Sequence, residues 1–512
     1  MPVLKYFQRH LPLLILVTLL LGVYLYTLAP GLTWANDGSD GGDLITASYT
    51  GGNAHPTGYP LYLLLARLFQ FIPTGSLAYR TNLLSVAAAV LAAVLIYRLV
   101  THTLNDLGLD HTWLAGLLAG FSFGLAPLVW SQAVITEVYA LQAFMTISIL
   151  CLFVYPLQGL EQKHQERLRG LILGLAAGNH ITTIFLFPLI LFSGNAEPDV
   201  TKTGSNPTRP TWRAVDLRDF ASSLTRQLVW LSIGMSLYMT IPLRALTDPP
   251  VNWGNPITLR RFWWLVSGEL YQSYYLQFQF GEFGERIQAW AALLLQQFGW
   301  LGVILGITGL IFFFKPSRLY ISTVWVGVSY SLFAILYSAD DSYVYLIPMY
   351  ISFVIWIGLG FGYVMGRVRV RYRCIGWGAG LILAVYIALR SSGYAGQVDA
   401  SKDLRAEMFG RQVMSEVPND ALVFVKGDQA VFSLWYFHFA LRERPDLVVL
   451  AEELLHFDWY QEVLHGTYPT VDIPDPFPWP ETIAFANLTR PVCYVQYVDR
   501  SEINCRAPAL TP

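Results

Sequence analysis

The feature that most restricts this chain is a series of apolar runs, each long enough to cross a bilayer. They are Leu11 to Leu28, Leu83 to Val100, Trp113 to Trp130, Val134 to Tyr155, Leu228 to Leu243, Ile287 to Phe314, Leu319 to Ser338, Tyr343 to Val364 and Cys374 to Leu389. Another, Leu171 to Phe192, is interrupted by Gly178-Asn179-His180. With 54% hydrophobic and 13% charged residues, the 512-residue chain is far more apolar than a soluble protein. It reads as a polytopic α-helical membrane protein with membrane lipids as its surroundings. The net charge of -2 gives no reason to expect nucleic acid as a partner. The first run follows Lys5 and Arg9 as a secretory signal would, but its length exceeds a signal's core, so it reads as an uncleaved span.

Lys and Arg mark the loops retained in the cytoplasm. They place inside the N-terminus, the loop with Lys163, Arg167 and Arg169, the linker with Lys202, Arg209, Arg213, Arg218 and Arg226, the Lys315 to Arg318 turn, and the Arg367 to Arg373 run. For both middle loops to be inside, Leu171 to Phe192 must enter and return as two short helices meeting near Asn179-His180, which is tolerated only where protein or a wet cavity covers the freed backbone. The expectation is about eleven crossings, N-terminus in and C-terminus out, with a bacterial plasma membrane as the location. Ala29 to Asn82, Ala245 to Arg286 and everything after Arg390 then lie on the outer side. Residues 1-390 form a transmembrane domain. Residues 391-512 alternate short β-like and helical runs (Ala421 to Lys426, Gln429 to Leu441, Leu447 to Ala451, Trp459 to Leu464, Val492 to Val498), a small extracytoplasmic α/β domain in which Cys493 and Cys505 are free to form a disulfide.

Charges that touch the bilayer collect near this outer boundary: Glu137, Arg244, Asp340, Asp341 and the crowded stretch WANDGSDGGD, Trp34 to Asp43. Charge buried in a membrane is expensive, so such a gathering suggests a shared wet cavity. Three readings of the acids stay open. Asp40 and Asp43 have capping-box spacing, with Asp in place of Glu and two poor helix formers, Gly41 and Gly42, between them. Asp37, Asp40 and Asp43 offer oxygens to a divalent metal, the less favoured reading for want of a loop motif. A carboxylate in a partly dry cleft is also a general base for an acceptor hydroxyl. The following NAHPTGYPLYLLLARLFQFIP, Asn53 to Pro73, opens with a rigid turn holding His55 and Tyr59 and continues as an apolar stretch suited to the interface.

TWANDGSDGGDLITASYTGGNAHPTGYPLY, WSQAVITEVYALQAF, GNHITTIFLFP, IPLRALTDPPVNWGNP and RPDLVVLAEELLHFDWY together resemble the multispanning GT-C-type glycosyltransferases, in the branch of the transmembrane protein O-mannosyltransferases and their bacterial relatives. The resemblance covers nearly the whole chain. It implies a polyprenyl-phosphate-linked sugar as donor, inverting transfer to a protein, lipid or glycan acceptor, and a base in the first external loop, at Asp40 or Asp43; no cofactor is assigned beyond the less favoured divalent metal. Relatives commonly carry Asp-x-Gly-Glu where this chain has Asp40-Gly41-Gly42-Asp43, which leaves the choice between the two open.

The needs of that reaction assign the remaining candidates. Arg244 is the first choice to hold the leaving phosphate, because guanidinium binds phosphate bidentately, with Arg261 and Arg260 next. Glu137, His55, Tyr59 and His180 are candidates for sugar contacts, although His180 equally serves a helix break. Trp253, beside Gly254 in an aromatic loop, is a candidate to stack on a sugar face. The rival classes are a secondary transporter, which would place its site near the midplane and show repeats, and a non-catalytic scaffold.

Overall fold

The computed structural model describes residues 2–157, 159–193, 217–275, 277, 280–313, 317–367, 373–474 and 478–509. The basic linker around Lys202, Arg209 and Arg213 lies outside the described residues. Helix α1 (Pro2–Thr27) packs Leu16, Leu20 and Tyr24 inward and presents Leu14, Leu19 and Leu25 outward, as a helix does with protein on one flank and lipid on the other. Two short helices, α2 (Gly41–Thr50) and α3 (Pro60–Gln70), precede the long α4 (Leu77–Asp106). Next come α5 (Thr112–Gly124) and α6 (Pro127–Ala133), bent by 66° where Pro127 cannot continue the helix, then α7 (Tyr139–Val154) and α8 (Gln162–Ala177).

The chain turns at Gly178-Asn179-His180 and continues as a 3-10 segment, Ile181–Ser193. The expected break is therefore present, and protein covers it: Asn179 donates to the Val138 carbonyl and Gln142, and the Thr183 hydroxyl donates to the Ala176 carbonyl. Helices α9 (Leu217–Met235) and α10 (Thr240–Ala245), joined by a 3-10 turn, lead to the outer-loop helix α11 (Leu259–Val266), followed by α12 (Phe283–Phe312), α13 (Arg318–Leu336), α14 (Ile347–Arg367) and α15 (Arg373–Val398). Among the described residues seven helices are long and apolar enough to cross a membrane, or eight if the α5–α6 pair counts as one span. The expected figure of about eleven also counted α7 and the segments on either side of the 178–180 break, which are shorter than that length.

Small residues bring the helices together. A Cβ on Gly170 or Gly174 of α8 would lie 2.2 Å from a backbone oxygen of α9, and one on Gly309 of α12 would lie 1.9 Å from the Trp356 oxygen of α14. Such contacts replace the hydrophobic drive that lipid removes. Helix α12 is interrupted at Gly299 (φ +64), and Arg390 of α15 donates to the carbonyls of Gln296 and Gln297 left open there.

Helix α15 runs through position 390 and ends at Val398. Beyond it lie α16 (Arg405–Glu416), β1 (Leu422–Lys426), α17 (Asp428–Trp435), β2 (Val448–Ala451), α18 (Asp458–Thr467), α19 (Pro480–Ala486), β3 (Val492–Tyr497) and β4 (Ser501–Arg506). The sheet order is β2-β1-β3-β4, parallel except for the β3–β4 hairpin, whose register sets Cys493 opposite Cys505 in a disulfide. This α/β unit is fastened to the first loop. Asp403 accepts from the Thr33 hydroxyl (2.8 Å) and the Trp34 amide (3.0 Å), Glu407 accepts from the Leu32 amide, and the Trp34 indole donates to Ser433.

Candidate functional site

Helix α2 starts directly after Asp40, whose carbonyl accepts from the Leu44 amide, yet the Asp40 side chain makes no capping hydrogen bond. The capping-box reading is thereby corrected. The two glycines that made the box look poor have another use: a Cβ at Gly42 would lie 2.4 Å from the Phe432 oxygen. Gly42 lets α17 of the C-terminal domain lie directly on α2.

Asp43, one turn into α2, is completely buried. Its Oδ2 accepts from the backbone amide of His55 (2.9 Å) and stands 2.8 Å from His55 Nδ1, while its Oδ1 accepts from the Trp253 indole (3.1 Å). Three N–H groups therefore satisfy this carboxylate, as burial of a charge requires. The other ring nitrogen, His55 Nε2, lies 3.4 Å from Asp40 Oδ2, and the Asp40 side chain keeps 37% of its surface accessible. His55 thus stands between a buried carboxylate that orients it and an accessible one. Burial works to lower its pKa, but Asp40 and Asp43, with a smaller contribution from Glu137, outweigh that and push the imidazole up to about 9.

The loop carrying Trp253 is held by backbone pairing, Asn53 N to Val251 O (3.0 Å) and Trp253 N to Asn53 O (3.2 Å). Trp253 is buried at 5% exposure with Phe432, Trp435 and Trp459 against its ring. Its indole acts on Asp43, and the surrounding aromatics come from the C-terminal domain. Tyr59, in left-handed backbone (φ 42) ahead of Pro60, packs its ring edge-on to His55 at 5.0 Å. On its other side the Tyr59 ring lies 6.1 Å from His180. His180 bonds to Thr182 and, with Tyr139 and Tyr345, lines a small pocket next to this group. Glu137 is also buried beside this group, at 6% exposure.

The structure therefore brings together Asp40, Asp43, His55, Tyr59, Trp253, Glu137 and His180. Two candidates stand further out. Arg244 reaches the Gly52 carbonyl at 3.4 Å, behind the His55 loop. Arg261 forms a two-pronged ion pair with Glu462 of α18 (2.6 and 2.8 Å), fastening α11 to the C-terminal domain, and Arg260 is exposed. Asp37, grouped with Asp40 and Asp43 as a metal set, accepts instead from the Tyr343 hydroxyl (2.5 Å), and no group of three metal-ligating side chains converges among the described residues.

Sequence reasoning missed two contributors. Phe432 stacks on the His55 ring (6.4 Å between centroids, 15° between planes). Asp428, at the first turn of α17, has its carboxyl pushed up to about 6 by burial and by Asp40. No local pattern signals them, since each meets the first loop across hundreds of residues of chain. Asp341, one of the outer-boundary charges noted in the sequence, belongs to the same acidic surround, its carboxyl raised by burial and by Asp40.

Residues 40–196 match the family model described as the Protein O-mannosyl-transferase TMEM260 N-terminal domain, and residues 406–504 match the TMEM260-associated domain 2. Two models of the TMEM260 family thus match separate parts of the chain. Both of its matched regions contribute to the cleft just described, the first through Asp40 to His55 and the second through α17. The chain is similar to the Protein O-mannosyl-transferase TMEM260 of Mus musculus, 26% identical over 474 residues, which cover 85% of this chain and 62% of that protein. The corresponding Dictyostelium discoideum protein is 24% identical over 494 residues, covering 85% and 57%. The chain thus spans about three-fifths of the length of the curated relatives it matches. Among solved structures, ArnT from Cupriavidus metallidurans bound to undecaprenyl phosphate aligns with a TM-score of 0.59 at 12% identity, over 95% of this chain and 93% of that one. An Archaeoglobus fulgidus oligosaccharyltransferase aligns at 0.51 and 11% identity, over 87% and 65%. The fold is that of the GT-C glycosyltransferases, with a small C-terminal α/β unit.

Proposed function

We propose that this chain is a glycosyltransferase that moves a sugar, mannose first among the candidates, from a polyprenyl-phosphate donor to a hydroxyl of a protein acceptor. The observation that carries the reading is the division of labour between the two first-loop carboxylates. Asp43 is saturated by His55 and Trp253, and Asp40 is accessible and free of the cap. A general base needs an accessible carboxylate within reach of the proton it takes, held by neighbours that do not move. In the reaction, the acceptor oxygen forms a bond to the anomeric carbon as the bond to the phosphate oxygen breaks. The acceptor's proton passes to Asp40, and the electron pair of the broken bond leaves with the lipid phosphate. This single displacement inverts the anomeric centre. His55, pushed toward its protonated form, fixes Asp40 in place, Asp43 fixes His55, and Trp253 fixes Asp43.

Arg244 is the group assigned to the departing phosphate, since its guanidinium adjoins the His55 loop and matches phosphate geometry. Glu137, Tyr59 and His180, gathered beside His55, are assigned to the sugar. The family relatives named protein O-mannosyl-transferases supply the guess of mannose and of a protein acceptor, and the fold neighbour with bound undecaprenyl phosphate supplies the donor class. The carboxylate end of the bundle is assigned to the outer membrane face and the N-terminus to the cytosol. The test is incubation of the purified full chain with a panel of polyprenyl-phosphate sugars and a threonine-containing peptide. Consumption of one donor with a glycosylated product supports the reading, and retention of every donor ends it. Cytosolic reactivity of a cysteine placed at Asp37 would end the assignment of sides.

A further inference from the structure

On the side of Tyr59 away from His55, three tyrosines surround one histidine. The rings of Tyr59, Tyr139 and Tyr345 stand 6.1, 5.9 and 5.6 Å from the His180 ring, centroid to centroid. His180 itself is buried, at 5% exposure, and its neighbours fix its tautomer. The backbone amide of Thr182 donates to Nδ1 (3.2 Å), and the Thr182 hydroxyl lies 2.8 Å from the same nitrogen. A ring nitrogen that accepts from an amide carries no proton, so the imidazole is neutral and holds its hydrogen on Nε2. That N–H has no partner among the described residues, and a buried donor without a partner is costly. The small pocket beside it is where a partner can enter. His180, Thr182, Tyr139, Gln142 and Tyr345 supply its polar groups, the rest of its lining is apolar, and no Lys, Arg, Asp or Glu lines it.

We infer that the His180 Nε2–H donates to a hydroxyl at C3 or C4 of the transferred sugar, and that this pocket makes the enzyme select an uncharged hexose. This deepens the glycosyltransferase reading and rests on it. The position of the pocket fits the role: the Tyr59 ring that flanks His180 also packs on His55 at 5.0 Å, and His55 Nε2 is 3.4 Å from Asp40. A sugar whose anomeric carbon lies on the Asp40 side turns its far edge, C3 and C4, toward His180. The lining fits as well. Tyrosine ring faces receive the C–H faces of a sugar, and neutral donors and acceptors receive its hydroxyls. A carboxylated sugar would bring a charge into this pocket without a counter-charge, which burial penalises heavily.

The experiment measures kcat/KM of the full-length protein on undecaprenyl-phosphate-mannose, or on the neutral hexose that the donor panel puts in its place, and on the 3-deoxy and 4-deoxy analogues of that donor. The expected result is a loss of roughly ten- to a hundredfold for one of the two analogues, because the His180 donor stays unpaired in that complex. His180→Phe loses a similar factor on the full sugar, and its ratio between full and deoxy sugar falls toward unity. His180→Gln, which keeps an N–H near the place of Nε2, retains the native ratio. A general loss of folding lowers every rate and leaves the ratio, so it does not mimic the effect. A ratio unchanged in His180→Phe for both analogues, no loss for either analogue in the native protein, or a native protein that consumes only a uronic-acid donor overturns the inference alone. A native protein that consumes no donor at all overturns the proposed function and this inference with it.

Discussion

Asp40 and Asp43 differ by three positions and by nearly everything in their surroundings. Asp43 → Asn keeps the shape but presents an amide where His55 and Trp253 need oxygens, so the buried array loses acceptors that cannot be replaced. The expected outcome is a loss of thermal stability together with activity, read by melting the detergent-solubilised protein. Asp40→Asn removes no hydrogen bond from the cap or the core. It should lower the melting temperature less than Asp43→Asn does, by the share of the His55 imidazolium's stabilisation that the Asp40 charge supplies, and cut sugar transfer by roughly 10²–10⁴-fold, the span of a lost general base. Equal melting losses in the two variants would contradict the assignment. Trp253→Phe keeps the aromatic packing and deletes one donor to Asp43, and should cost on the order of 1–3 kcal/mol in stability.

At the scale of elements, α2 and α17 are each short, and each is placed by the other. Gly42→Ala sets a methyl against the Phe432 carbonyl. Backbone cannot step aside as a side chain can, so the pair should separate or strain at about 1–3 kcal/mol. Limited proteolysis near position 400 should accelerate in this variant and transfer should fall, although no proposed catalytic group has changed. The sequence shows α17 as a helix-period run after β1, whereas α2 starts after Asp40 without the side-chain cap that the spacing suggested. It also shows β1, β2 and β3 as short apolar runs bounded by polar turns, close to their observed limits. It gives little sign of β4, Ser501–Arg506, an exposed edge strand with no apolar alternation to mark it. The break at Gly178-Asn179-His180 was legible because charge bias demanded a return of the chain there.

Over the whole molecule, the link between the first loop and the C-terminal domain makes stability depend on protons. His55 has a folded pKa of about 9 against an ordinary 6.5. Its imidazolium therefore favours the folded state: the contribution is fully present below about pH 6.5 and is lost as the pH rises through about 9, amounting to on the order of 3 kcal/mol. The melting temperature should fall between pH 7 and 9.5, and His55→Gln should flatten that part of the profile. Asp403→Ala should loosen the same junction from its other end, by removing the acceptor for Thr33 and Trp34. What the sequence by itself determined is whatever depends on neighbours along the chain. Apolar length gave the polytopic helical character but not the number of spans, basic loops gave the expected sidedness, turn residues gave the breaks, and the crowded aspartates marked the region of the candidate site. The tertiary structure alone decided which aspartate is buried, that Trp253 is turned onto Asp43, that Arg261 is held by Glu462, and that Asp428 and Phe432 reach the site. Those outcomes depend on burial and on partners distant in sequence, and a carboxylate's role is set by the donors that surround it.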